Sequence, residues 1–233
     1  MESKASIKVL ACAVVVETLR PKLPEEVALE TLDFGLHRTP EVLKAKLQEE
    51  IDKSTGYDTI VLAYGLCGMA VIGLHSESAT LVIPRADDCI TIFLGSKEAY
   101  TEQQRSHPGS LFLTKGWLEG RLDDSAPSLQ GYYRWVQKYG EERAKRIQSV
   151  YLRNYKRLAF ITTGESNLDE YKEMARRRAG HLNLRYEEIP GSTALVDKIA
   201  GGQWDENFVV VPPGNPVSFE DFWPPTSENN GKD

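Results

Sequence analysis

Short apolar runs recur along the chain, each closed by a turn and followed by a segment of helical period. They fall at residues 7–11, with continuation to 16 open, and at 27–34, 59–63, 80–83, 158–162, 184–189 and 208–211. Runs this short with few interior charges fit strands buried on both faces, as in parallel sheets. Their alternation with helical segments predicts an α/β fold, a mostly parallel, Rossmann-like sheet flanked by helices. Thr39-Pro40 opens one helix, with Thr39 as N-cap and Pro40 at the first helical position, and Leu43, Leu47 and Ile51 form its buried stripe. Asn167 and Glu170 fit a capping box for a helix closed by Gly180, and residues 192–200 read as a helix ending at Gly201-Gly202. Between 107 and 157 the pattern changes: Pro108-Gly109 and Gly116-Trp117 signal loops, then aromatic residues recur at helical spacing with a break near Gly140. The expected organisation is one α/β domain over 1–217, open to division into lobes 1–106 and 158–217 joined by the aromatic-rich segment. A loosely held tail is expected over 218–233.

Composition narrows the function. Of the 233 residues 41% are apolar, too many for a disordered chain, and 28 Lys+Arg against 34 Asp+Glu give a net charge of −6. No field of one sign is available to hold nucleic acid or an anionic membrane. The three cysteines, at 12, 67 and 89, form no C-x-x-C pair, which excludes a disulfide framework and points to a reducing, cytoplasmic compartment. Val9-Leu10-Ala11-Cys12 imitates a lipoprotein-processing box, but Glu2 opposes Lys4 and too few apolar residues precede the cysteine. A buried first strand is the expectation. No apolar run reaches the roughly 20 residues that cross a bilayer.

In an open parallel sheet, ligands bind beyond the carboxyl ends of the strands. His37, Cys67 and Cys89 each follow such an end, and Cys12 does so if the first strand is short. A Cys3His set suits zinc, and thiolates also suit iron or cobalt. The same strand ends supply further candidates. Tyr64, Gly65 and Gly68 follow the third strand as binding residues, and Arg85, Asp87 and Asp88 follow the fourth as catalytic ones. Asp87 or Asp88 is placed to cap the next helix, and Cys89 at that helix start is a candidate nucleophile of lowered pKa. Gly191, Ser192 and Thr193, between a strand and a helix, offer backbone N–H groups to an anion, without a P-loop or dinucleotide pattern.

The segments Tyr64-Gly65-Leu66-Cys67, Pro84-Arg85-Ala86-Asp87-Asp88-Cys89-Ile90, Leu94-Gly95-Ser96, Gly116-Trp117, Trp204-Asp205 and Val211-Pro212-Pro213-Gly214 together resemble the family called domain of unknown function 1638. Its members are often encoded beside corrinoid-dependent methyltransferases, so the resemblance implies a role around corrinoid or methyl-group metabolism. In the family a histidine commonly precedes the Asp-Cys pair, whereas Asp87 stands here, replacing a ligand by an oxygen donor or altering a proton-transfer group. The leading expectation is therefore a zinc-type site on Cys12, Cys67, Cys89 and His37, catalytic or accessory in methyl transfer. Two others stay open: a metal-free module for an anionic small molecule or a corrinoid protein, and a Cys89 thiol enzyme.

Overall fold

The computed structural model describes residues 6–119, 129–164 and 166–223. Strand β1 (Ile7–Cys12) is an interior strand of the larger sheet, with Val9, Leu10 and Ala11 fully buried. It lies between β2 (Ala28–Leu32) and β3 (Thr59–Ala63), and beyond β3 come β4 (Thr80–Pro84) and β8 (Phe208–Val211), giving the order β2-β1-β3-β4-β8. The first four are mutually parallel and β8 is antiparallel to β4. Register sets Val9 opposite Leu29 and Val61, and Val61 opposite Val82.

Continuation of the first strand to residue 16 does not occur, because the chain turns at Cys12 into helix α1 (Ala13–Leu19). Three successive valines cost a helix only a few tenths of a kcal/mol each. Burial of Val14, Val15, Thr18 and Leu19 on one face outweighs that. Helix α2 (Pro40–Lys53) buries Leu43, Leu47 and Ile51 as its spacing predicts. Thr39 precedes it, but caps with its backbone carbonyl, which accepts the N–H groups of Val42 and Leu43, and not with its side chain.

A second sheet, β5-β6-β7, is wholly parallel and consists of β5 (Ser110–Leu113), β6 (Arg157–Thr162) and β7 (Arg185–Pro190). The sheets do not divide at the lobe boundaries read from the sequence: β5 lies inside the segment read as loop and helix, and β8 returns to the first sheet. Helices α3 (Cys89–Leu94), α4 (Lys97–Ser106) and α5 (Lys115–Glu119) link the two regions, and α6 (Leu129–Tyr139) and α7 (Glu141–Leu152) break at Gly140, whose φ is +79°. Helix α8 (Asp169–His181) lacks the expected capping box and the Gly180 stop, since Leu168 occupies the cap position without a side-chain bond and the helix ends at His181. Helix α9 (Ala194–Gly201) follows β7. Phe112, Ala159, Ile161 and Ile189 from the small sheet join the core of the large one, and its other face packs Leu158 and Phe160 against Ala175 and Ala179 of α8.

Residues 218–223, read from the sequence as the start of a loose tail, are anchored at Phe222, while Phe219 and Trp223 are exposed. Phe222 is buried, Val217 exchanges backbone bonds with Gly73 and Leu74, and Ser218 N–H donates to Asp221. The rest of the expected tail, 224–233, lies outside the described residues. Among the described residues no helix is long and apolar enough to cross a membrane.

Candidate functional site

From β1 the chain crosses to β2 on one side and then returns to β3 on the other. Loops leaving the carboxyl ends of β1 and β3 therefore part in opposite directions, and such a switch point leaves a crevice. Cys12 closes β1, Tyr64 and Cys67 follow β3, Cys89 opens α3 behind β4, and His37 sits in the short 3-10 turn Phe34–Arg38 behind β2. These five side chains line one cavity of about 200 Å³, together with Val14, Phe34, Ala63, Asp88 and Trp117.

Local backbone chemistry brings the loops together. The N–H groups of Leu66 and Cys67 donate to the carbonyls of Ala86 and Asp87, at 2.8 and 3.1 Å. Gly65 makes the approach possible, since a Cβ there would stand 2.6 Å from the Ala86 carbonyl oxygen and 2.7 Å from Asp88 N. Immediately beyond, Cys67, Gly68 and Met69 all have positive φ, at 45°, 71° and 71°. For the two non-glycine residues this is a strained conformation costing about 1–2 kcal/mol each. Asp88 caps α3, accepting from Ile90 N–H at 2.9 Å and Thr91 N–H at 3.4 Å. A second close approach positions the remaining wall: a Cβ on Gly116 would stand 2.5 Å from the Val14 carbonyl oxygen, so α5 lies tightly on α1. Trp117 thereby reaches the cavity, its Nε1–H donating to Cys89 Sγ at 3.2 Å and its ring meeting Phe34 edge-on. His37 Nδ1 donates to the Phe34 carbonyl.

Burial governs the electrostatics. It raises the Cys12 thiol to about 11 and the Cys67 thiol to about 12, and pushes Cys89 well above its ordinary value. Negative charge on neighbouring thiols and on Asp88 adds to the shift at Cys67 and Cys89. The pKa of Cys89 is raised, not lowered as its place at a helix start leads one to expect: α3 has only six residues, its Asp88 cap carries the opposing charge, and burial outweighs the Trp117 N–H. The Asp88 carboxyl is itself pushed up by burial, against the two N–H groups it accepts. Tyr64 O–H is buried without a hydrogen-bond partner, which also drives its pKa upward. The result is a pocket whose sulfur and phenol groups hold their protons. No three His, Cys, Asp or Glu side chains among the described residues stand in a metal-holding arrangement, so metal binding entails movement of the cysteine side chains.

Other sequence candidates stand outside. Arg85 and Asp87 line neither this cavity nor the larger one beside it. Arg85 donates through Nε to the Glu206 carbonyl at 2.9 Å, and the Asp87 carbonyl serves Cys67. Gly68 makes the turn against Pro40 and is exposed. At Gly191 and Ser192 the backbone N–H groups expected to meet an anion are taken, Gly191 N–H donating to Thr162 and Ser192 N–H to Phe93, while Thr193 Oγ1 donates to Asp197. Gly191 serves close packing, a Cβ there meeting the Phe93 carbonyl oxygen at 2.6 Å. Sequence reasoning left out Phe34 and Trp117 as site residues. For Trp117 the signal was present in the Gly116-Trp117 pair, since a glycine before a bulky aromatic marks a close backbone approach.

The chain belongs to the family described as Protein of unknown function (DUF1638), whose model matches residues 31–200. That span holds His37, Cys67, Cys89 and Trp117 and excludes Cys12. No curated protein and no solved structure matches the chain.

Proposed function

We propose that the cavity at the β1/β3 switch point takes a thiophilic metal ion through Cys12, Cys67 and Cys89, with His37 as the fourth donor. The protein would then serve corrinoid or methyl-group metabolism, as an enzyme or as an accessory to a corrinoid-protein partner. One observation carries the metal reading: three cysteines from three separate strand ends line a single cavity of about 200 Å³. Zinc is the preferred ion for a Cys3His set, with iron or cobalt as the other thiolate-compatible choices. When bound, a thiolate-held zinc with one open position is a Lewis acid able to activate a thiol for methyl transfer. The association with corrinoid chemistry rests on the family resemblance alone.

The chain's own residues would act as follows. The buried thiols hold their protons, so binding must release them, and affinity rises with pH. Trp117 Nε1–H, already on Cys89 Sγ, steadies that sulfur as it becomes a thiolate. His37, with Nδ1–H on the Phe34 carbonyl, has its tautomer fixed so that Nε2 is the ligating nitrogen.

A second reading, a metal-free pocket for a small molecule, is favoured by the neutral thiols and the absence of a ready metal arrangement among the described residues. Titration with cobalt(II) separates the two. The metal reading predicts saturation near one equivalent with a thiolate-to-cobalt charge-transfer band, and for Cys89→Ser an affinity at least about a hundredfold weaker. A reduced wild-type protein that develops no such band would leave the metal-free pocket as the better account.

A further inference from the structure

A larger cavity of about 360 Å³ adjoins the cysteine cavity, and His37, Asp88 and Trp117 line both. Its far wall comes from the small sheet and its helices, and includes Arg178 of α8. The Nη1 of Arg178 is buried without a hydrogen-bond partner, and among the described residues burial alone acts on its charge, with no carboxylate contributing. Arg157, the first residue of β6, also has an Nη1 without a hydrogen-bond partner, but that nitrogen is ion-paired and the rest of its guanidinium is bonded. It donates to Ser110 and Gln103, at 2.7 and 2.5 Å, and lies 3.0 Å from the Glu187 carboxylate. A guanidinium stays charged even when burial disfavours it, so an unpaired one is a standing cost to the fold.

The rest of the lining is suited to a flat apolar body. Tyr151 and Tyr155 are stacked with rings 14° from parallel, and Phe112 and Ile90 supply apolar surface. Tyr100 accepts a hydrogen bond from Gln104 at 3.0 Å, which leaves its phenolic hydrogen to donate. A volume of this size lies at the low end of small-ligand sites.

We propose that this cavity binds a small organic anion, a carboxylate or a phosphate monoester on an aromatic or apolar body, with the anionic group on Arg178. The body then extends toward His37, Asp88 and Trp117, the wall beyond which the thiols lie. The site does not depend on a metal in the cysteine cavity. It makes Arg178 the specificity-determining residue for charge.

Isothermal titration of the full chain with benzoate, phenyl phosphate and the neutral benzamide tests this. At least one anion should bind with a Kd below about 5 mM and about tenfold or more tighter than benzamide, as expected for a charge-assisted pair. Which anion binds more tightly decides between carboxylate and phosphate. In Arg178→Met the preference for the anion should vanish while the melting temperature holds or rises, because an unpaired buried charge has been removed. Arg178→Lys, keeping the charge without the fork, should bind the anion more weakly than wild type yet keep a preference over benzamide. Metal content in Arg178→Met should equal that of wild type, whereas Cys89→Ser should keep the anion preference, so failure of the metal reading and failure of this one are distinguishable. Four results would overturn the proposal: equal binding of benzamide and both anions, no binding of either anion at 10 mM, an anion preference retained in Arg178→Met, or a fall of more than about 5 °C in that variant's melting temperature.

Discussion

At the carboxyl edge of the five-stranded sheet, Tyr64 O–H has no partner, three thiols repel one another's ionisation, and Cys67 and Met69 hold left-handed backbone. At the carboxyl edge of the three-stranded sheet the corresponding groups are satisfied. Gly191 N–H donates to Thr162, Ser192 N–H to Phe93, and Thr193 to Asp197, which also pairs with Lys22. Both edges use a glycine to let two backbone segments touch, Gly65 against Ala86 and Gly191 against Phe93. The glycines therefore do not distinguish a site from a packing contact. What distinguishes the first edge is that close approach leaves a cavity with polar groups unmet, and a native fold rarely carries such groups without use.

Replacing those glycines sharpens the contrast most strongly. Gly65→Ala and Gly191→Ala each force a Cβ to within 2.6 Å of a backbone carbonyl oxygen, and each should destabilise the protein by about 3 kcal/mol in urea denaturation. Only Gly65→Ala should also weaken cobalt binding, by about tenfold or more, since only its loop carries Cys67. Equal cobalt affinity in both variants would dissolve the difference between the edges.

The pH dependence comes next. Unfolded thiols titrate near ~8.5. Those of Cys12 and Cys67 titrate at about 11 and about 12 in the fold. Folded values above unfolded ones mean that this contribution is fully present below the unfolded value and is lost as pH rises through the folded ones. Metal-free protein should thus lose on the order of 3–4 kcal/mol per thiol between roughly pH 8.5 and 12, and Cys12→Ser should flatten that loss relative to wild type. Metal-bound protein should show the opposite limb, losing stability as pH falls below about 7 and protons compete for the thiolates. Urea midpoints across this range, with and without zinc, check both signs.

The smallest effects concern single hydroxyls. Tyr64→Phe removes a buried donor that satisfies nothing and should raise metal-free stability by about 1 kcal/mol. Thr193→Val, at the satisfied edge, should lower it by less than about 1 kcal/mol, because the Thr193–Asp197–Lys22 group is solvent-screened. A Tyr64→Phe variant less stable than wild type would show that the hydroxyl has a partner after all.

Much of the first edge was legible in the sequence, because parallel strands buried on both faces leave continuous apolar runs and Cys12, Cys67 and Cys89 directly follow them. What stayed hidden depends on contacts between distant parts of the chain. Trp117 belongs to the cysteine cavity through the contact of Gly116 with Val14, about a hundred residues away in sequence. The N–H of Ser192 is met by a carbonyl on α3, which no local pattern around Gly191 discloses. Strand β5 has four residues, too few to show a period, and follows a Pro-Gly turn that masks it. Arg178 stands in the run Arg176-Arg177-Arg178, whose first two members are exposed, so burial alone separates it from a solvated helix face.

Metal content is the most direct test of the strand-edge site. Protein purified without chelator, its cysteines verified as reduced, should carry about one equivalent of zinc, iron or cobalt by elemental analysis, and Cys89→Ser prepared in parallel should carry much less. Less than about a tenth of an equivalent in the reduced wild-type protein would contradict a thiolate metal site at the β1/β3 switch point.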